Sequence, residues 1–160
     1  MLSDKELSEY TKKAIAIALG EFLLRHLNLV FEKFNGDFAA AIILGEIAHH
    51  NIFRYYSRRG QCIDVPLPSI LDKNWMQNLE SCNAYSISEA TGIPRETVRR
   101  KVSKLIKDGL LVQDEQSRLT INQNIAEYFK DFNETILKDL MATSDCINDF
   151  RKADGKRNCR

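Results

Sequence analysis

The run Ser86 to Ile106, SISEATGIPRETVRRKVSKLI, limits the fold more than any other part of this chain. It predicts a short helix, a tight turn at Gly92, and a second helix opening at Arg95. At about 100° per residue, Val98, Val102, Leu105 and Ile106 fall on one side of the second helix. Glu96, Arg100, Ser103, Lys104 and Lys107 fall on the other. Asp108-Gly109 ends the helix. Beyond it, two apolar runs, Leu110 to Gln113 and Arg118 to Ile121, flank the polar turn Asp114-Glu115-Gln116-Ser117. The predicted order is therefore helix, turn, helix, hairpin.

Charge on the second helix is local. Six cations (Arg95, Arg99, Arg100, Lys101, Lys104, Lys107) stand against one anion (Glu96), whereas the whole chain of 160 residues carries a net charge of only +1. A basic stripe on a near-neutral protein is an electrostatic footprint for a polyanion. Arg is suited to guanine O6 and N7, Glu to cytosine N4, and Thr to phosphate. Pro94 at the cap position supplies a suitable φ but no side-chain acceptor, which leaves the first N–H groups free for phosphate.

Residues 83–121 resemble the winged helix-turn-helix domains of bacterial transcription regulators. The string Pro94-Arg95-Glu96-Thr97-Val98-Arg99-Arg100 is similar to recognition helices of the catabolite-activator and gluconate-regulator (GntR) types. The resemblance implies that Arg95, Glu96 and Arg100 read base edges. Thr97, Arg99, Ser103, Lys104 and Lys107 are then expected as phosphate or supporting contacts. Arg118 beside the wing is either a further phosphate contact or simply solvated. The acidic wing tip suits a hairpin that supports the fold more than it grips DNA. Ser88 stands where this family usually has Ala, and is still small enough for close helix packing.

The implied fold class is mostly α with a small β-hairpin wing: a winged helix-turn-helix flanked by N- and C-terminal helices. Seven glycines and three prolines suit a mostly helical chain. A first helix is expected from a cap at Ser3 or Asp4 to about Phe34, with a wide stripe of Ile15, Ala18, Leu19, Phe22, Leu23, Leu27 and Val30. Asn35-Gly36-Asp37 reads as a turn. A second helix is expected from Asp37 to about Tyr56, buried on more than one side because Phe38 to Leu44 is apolar nearly all round. Residues 1–68 form the expected dimerisation or support region, with a connector from Ser57 to Pro68. Residues 69–121 form the DNA-binding domain. Within it a helix from Ser69 buries Leu71, Trp75 and Leu79, and the first motif helix starts at Asn83 or at Ser86. A final helix starts at Asn122 or Asn124. Its seam of Ile125, Phe129, Phe132, Ile136 and Leu140 serves as a lid or as half of a dimer interface, as terminal helices do in the multiple-antibiotic-resistance (MarR) type. Residues 151–160 read as a flexible basic tail.

Other chemistries find little purchase. No nucleophile motif, phosphate-binding glycine loop or acid–base constellation is present, so no enzyme is expected. Glu46 and His50 share a helix face but lack a further ligand, so no metal and no cofactor is expected. Cys62, Cys82, Cys146 and Cys159 form no close pair and read as free thiols. Arg54, Arg58 and Arg59 make a second small basic cluster. The longest apolar stretch, Ala14 to Leu24, is broken by Glu21, and neither a membrane span nor a signal peptide is expected. The expectation is a cytoplasmic homodimer on double-stranded DNA, its two recognition helices about 34 Å apart on a near-palindromic operator. The alternative is a winged helix used as a protein-interaction module, with weak or no DNA binding. The apolar second helix also leaves room for a small-molecule effector.

Overall fold

A computed structural model of the chain describes residues 7–58 and 79–157, and the side chains of 7–52 and 79–155. The chain is mostly helical, with one small antiparallel sheet among the described residues. Its elements are α1 (Glu9–Lys33), α2 (Phe38–Arg58), α3 (Ala84–Thr91), α4 (Arg95–Lys107), β1 (Leu111–Gln113), β2 (Leu119–Ile121), α5 (Ile125–Tyr128) and α6 (Lys130–Arg157). They form two compact units: Gly36–Tyr128, and Met1–Asn35 together with Phe129–Arg160. α2 thus shares a unit with α3, α4 and the hairpin.

The Gly36–Tyr128 unit holds the apolar core. Ile43 and Ile47 of α2, Ile87 of α3, Val98 of α4, and Leu119 and Ile121 of β2 are fully buried. α2 presents Ala40, Ile43, Leu44, Ile47 and Asn51 inward, one helical face. Ile42, off that face, is 53% exposed within the single chain. β1 pairs with β2 in the register Leu111↔Ile121, Val112↔Thr120, Gln113↔Leu119. Cys82 adds a bridge on the other edge of β2, exchanging backbone hydrogen bonds with Leu119. Asn51 ties α2 to this sheet. Its Nδ2 donates to the carbonyls of Glu80 (2.6 Å) and Leu119 (3.3 Å), and its Oδ1 accepts from the Ile121 N–H (2.9 Å).

The other unit pairs α1 with α6, antiparallel. Ser8, not Ser3 or Asp4, caps α1: its Oγ accepts from the Thr11 N–H. The cap is locked by Asp154 near the far end of α6, whose carboxylate accepts from the Ser8 N–H, the Ser8 hydroxyl and the Thr11 hydroxyl. At the opposite end Phe34 stacks on Phe129 and Phe129 meets Phe132 edge-on. The expected single final helix is broken at Phe129, into α5 and α6, where this aromatic cluster takes over. α6 then runs on to Arg157 through the segment expected as a flexible tail, and Asp154 within it is buried.

α1 is 25 residues long, and an 18-residue window within it is apolar enough to cross a membrane by length and composition. Glu21 and Arg25 fall on one side of the helix, which leaves much of its girdle apolar. The expected helix from Ser69, with Leu71 and Trp75, lies outside the described residues. So do the side chains of Arg54, Arg58 and Arg59, and the thiols of Cys62 and Cys159.

Candidate nucleic-acid interface

α4 is placed by four local devices. Asn83 caps α3 by accepting from the Ser86 N–H (3.0 Å), and the Ser86 hydroxyl accepts in return from the Asn83 N–H. That capping box settles the start of α3 at Asn83. Gly92 closes α3 in the left-handed region at φ 69°, its N–H donating to the Ser88 carbonyl. The Ser88 hydroxyl spans the turn to the Ile93 carbonyl at 2.8 Å, a bond that alanine there would lack. At the far end of α4, Gly109 adopts φ 72°, and the N–H groups of Gly109 and Leu110 bond back to Ile106 and Leu105. This is a Schellman closure, and it seats Leu110 in the core beside Leu105.

The helix so placed divides as its periodicity predicts. Val98, Val102 and Leu105 are buried, and Ile106 is half-buried. Arg95, Glu96, Arg99, Arg100, Ser103, Lys104 and Lys107 are all exposed, and Thr97 is half-buried in the first turn. Pro94 supplies no side-chain cap, so the opening N–H groups of α4 meet no capping side chain. The unit presents one cationic, solvent-facing helix flank over an aliphatic back.

Three cations are held by partners that sequence reasoning missed. Arg95 lies over the Tyr85 ring, 5.5 Å from its centroid, so α3 supplies an aromatic rest for the side chain at the mouth of α4. Lys101 turns away from the open face to Asp37, with Nζ 2.6 Å from Oδ2, and Lys104 reaches the same oxygen at 4.0 Å. Asp37 also caps α2 by accepting from the Ala40 N–H. Its own burial opposes ionisation. The Lys101 hydrogen bond, the Ala40 N–H and the charges of Lys101 and Lys104 outweigh that, and hold the carboxyl below its ordinary range. The turn and helix start at Asp37 were visible in the sequence; its partner 64 residues away was not.

The hairpin tip is self-contained. Asp114 accepts from the Arg118 N–H (2.8 Å), the Gln116 N–H (3.0 Å) and Arg118 Nε (2.6 Å). The backbone bond from Arg118 is the main cause of its lowered pKa, with the guanidinium and Gln116 adding to it. Arg118 is exposed, but its charge is matched within its own turn. Ser117, at φ 61°, makes the bend that brings them together.

Cys82 is buried and free; burial, with the Glu46 charge adding to it, pushes its thiol up to about 11. It is a thiol at neutral pH and not a nucleophile. Among the described residues no group of three His, Cys, Asp or Glu side chains is placed to hold a metal ion. No family model, no curated protein and no solved structure matches this chain.

Proposed function

We propose that the protein is a sequence-specific, double-stranded DNA-binding transcription regulator, cytoplasmic and homodimeric, built on a winged helix-turn-helix. One observation carries the reading: α4 keeps Arg95, Arg99, Arg100, Lys104 and Lys107 in solvent while its back is fixed by Val98, Val102 and Leu105. A helix so mounted enters a major groove without rearrangement. Arg95, Glu96 and Arg100 read bases; Thr97, Arg99, Ser103, Lys104 and Lys107 meet the backbone. Tyr85 narrows the conformations open to Arg95 before it binds, and Lys101 is withdrawn from the duplex by Asp37.

The test is a duplex titration at two salt concentrations, followed by selection of bound sequences from a random pool. Affinity falls steeply with salt, and the selected sites are near-palindromes. Arg95→Ala or Arg100→Ala relaxes preference at particular bases, each at a cost of about 1–3 kcal/mol. Lys104→Ala weakens all sequences alike and lowers the salt slope by about one. Unchanged affinity and base preference in Arg95→Ala rejects the assignment.

The wing favours a second reading, a winged helix that binds a protein. Its tip carries Asp114 and Glu115, its one cation is matched internally, and Val112 on β1 is 47% exposed. A salt-independent response in the same titration selects this reading.

A further inference from the structure

Among the described residues, Lys101 is the one cation of α4 that is not exposed. Its pairing also differs in kind from that of its neighbours. Lys101 Nζ lies 2.6 Å from Asp37 Oδ2, and the two side chains are only 20% and 16% exposed. Arg99 and Glu96, by contrast, meet at 3.9 Å with both side chains largely in solvent. A loose surface pair of that sort is worth little and yields to a competing phosphate, whereas a short, shielded pair holds.

Asp37 is itself fixed. Its Oδ1 accepts from the Ala40 N–H at 3.1 Å, which caps α2 and leaves Oδ2 to Lys101. Lys104, one turn further along α4 and 55% exposed, reaches the same Oδ2 at 4.0 Å. One carboxylate therefore faces two lysines. When Lys104 swings to a phosphate, Lys101 keeps the carboxylate neutralised.

The place of Lys101 on the helix gives this pairing its meaning. At about 100° per residue, Lys101 lies roughly 100° round from Arg100, 120° from Arg95 and 140° from Glu96. Lys104 is only about 40° from Arg100. A helix seated with Arg95, Glu96 and Arg100 on base edges thus carries Lys104 toward a groove wall and Lys101 away from both strands. For Lys101 to touch a phosphate, α4 must roll about its axis and lift the base-reading side chains. On an operator that roll costs base contacts. On any other duplex it costs none, because binding there is electrostatic and each further neutralised phosphate strengthens it. A free Lys101 would favour the wrong seating on the wrong sequences.

We infer that Asp37 is a specificity-determining residue of the duplex contact: by holding Lys101 against the start of α2, it denies α4 a rolled, purely electrostatic seating on duplexes that lack the operator. The inference rests on the proposed DNA reading and deepens it. A pair kept for packing alone predicts something else: its loss lowers stability and leaves the choice of duplex unchanged.

The test uses the full chain and fluorescence anisotropy with two labelled duplexes. One is the operator recovered from the random pool; the other has its length and base composition in scrambled order. Asp37→Asn removes the charge and keeps a capping acceptor, since Asn caps helices as well as Asp does. Its affinity for the scrambled duplex rises roughly threefold or more, and the salt slope there steepens by about 0.9 for each α4 bound. Its affinity for the operator stays within about twofold of wild type, because the seated helix gains no contact. Adding Lys101→Met, which keeps the aliphatic stem, restores the wild-type ratio between the two duplexes. Adding Lys104→Met instead does not. Circular dichroism checks the fold, and Asp37→Ser, a second neutral cap, repeats the result if Asp37→Asn loses helix content. An equal gain on both duplexes makes Asp37 an ordinary surface charge and overturns the inference. So does no gain on either, or a ratio restored by Lys104→Met. Those failures leave the proposed function standing, since the wild type still prefers its operator. A wild type that selects no sequence from the pool rejects the proposed function itself, and this inference with it.

Discussion

Asn51 and Asp37 show how single polar side chains join segments that the apolar core alone would leave loosely oriented. Asn51 is completely buried, and its amide satisfies groups at Glu80, Leu119 and Ile121. Asn51→Ala strands the Ile121 N–H and removes a donor from two carbonyls. It is expected to cost about 3 kcal/mol, read as a fall in the urea midpoint with an unchanged m-value. Asp37 gives a pH signature. Its carboxyl titrates lower in the folded chain than the ordinary value of about 3.9. A lowered folded value means the Lys101 pair stabilises fully above that ordinary range, and its contribution is lost as pH falls through the folded value. Stability measured in urea is therefore expected to fall as pH drops below about 4. Asp37→Asn loses about 1–2 kcal/mol at neutral pH and shows a shallower acid limb. An equally steep acid limb in the variant assigns the acid sensitivity to other carboxylates.

At the level of elements, the run from α3 through α4 to the hairpin depends on two left-handed residues in chain order, Gly92 and Gly109. A Cβ at Gly92 meets nothing within 4 Å, so substitution there is penalised by backbone conformation alone. Gly92→Ala is expected to lower stability by about 1–2 kcal/mol, with Gly92→Asn recovering part of the loss; thermal melts of the two variants check this. These glycines, the bounds of α4 and the two hairpin runs were legible in the sequence because each is set by neighbours a few residues away. The aliphatic back of α4 and its exposed cations follow from periodicity alone. Tyr85 under Arg95 and Asp37 under Lys101 were not legible, since both are side-chain meetings between elements. A long intermediate side chain such as Lys101 turns whichever way a carboxylate waits. The break at Phe129 escaped for the same reason. Ile125, Phe129 and Phe132 hold a continuous helical spacing, and only the Phe34 ring shows why the chain departs from it.

For the molecule as a whole, the two units differ in what finishes them. Among the described residues, the Gly36–Tyr128 unit holds every fully buried apolar side chain, whereas those that the α1–α6 pair fully buries are polar. If the proposed homodimer forms through this pair, opening of the pair is coupled to dissociation and obeys mass action, while opening of the other core does not. Hydrogen exchange separates the two. Peptides from α1 and α6 are expected to gain up to about tenfold in protection for each tenfold rise in protein concentration, and peptides spanning Ile87 to Ile121 to stay constant. Asp154→Ala, which removes the acceptor shared by Ser8 and Thr11, lowers protection in α1 and α6 at every concentration. It leaves the concentration slope intact, because the clamp joins the two helices of one chain. A slope shared equally by both sets of peptides would mean that the chain opens as one body, and would remove the ground for assigning the proposed interface to the α1–α6 pair.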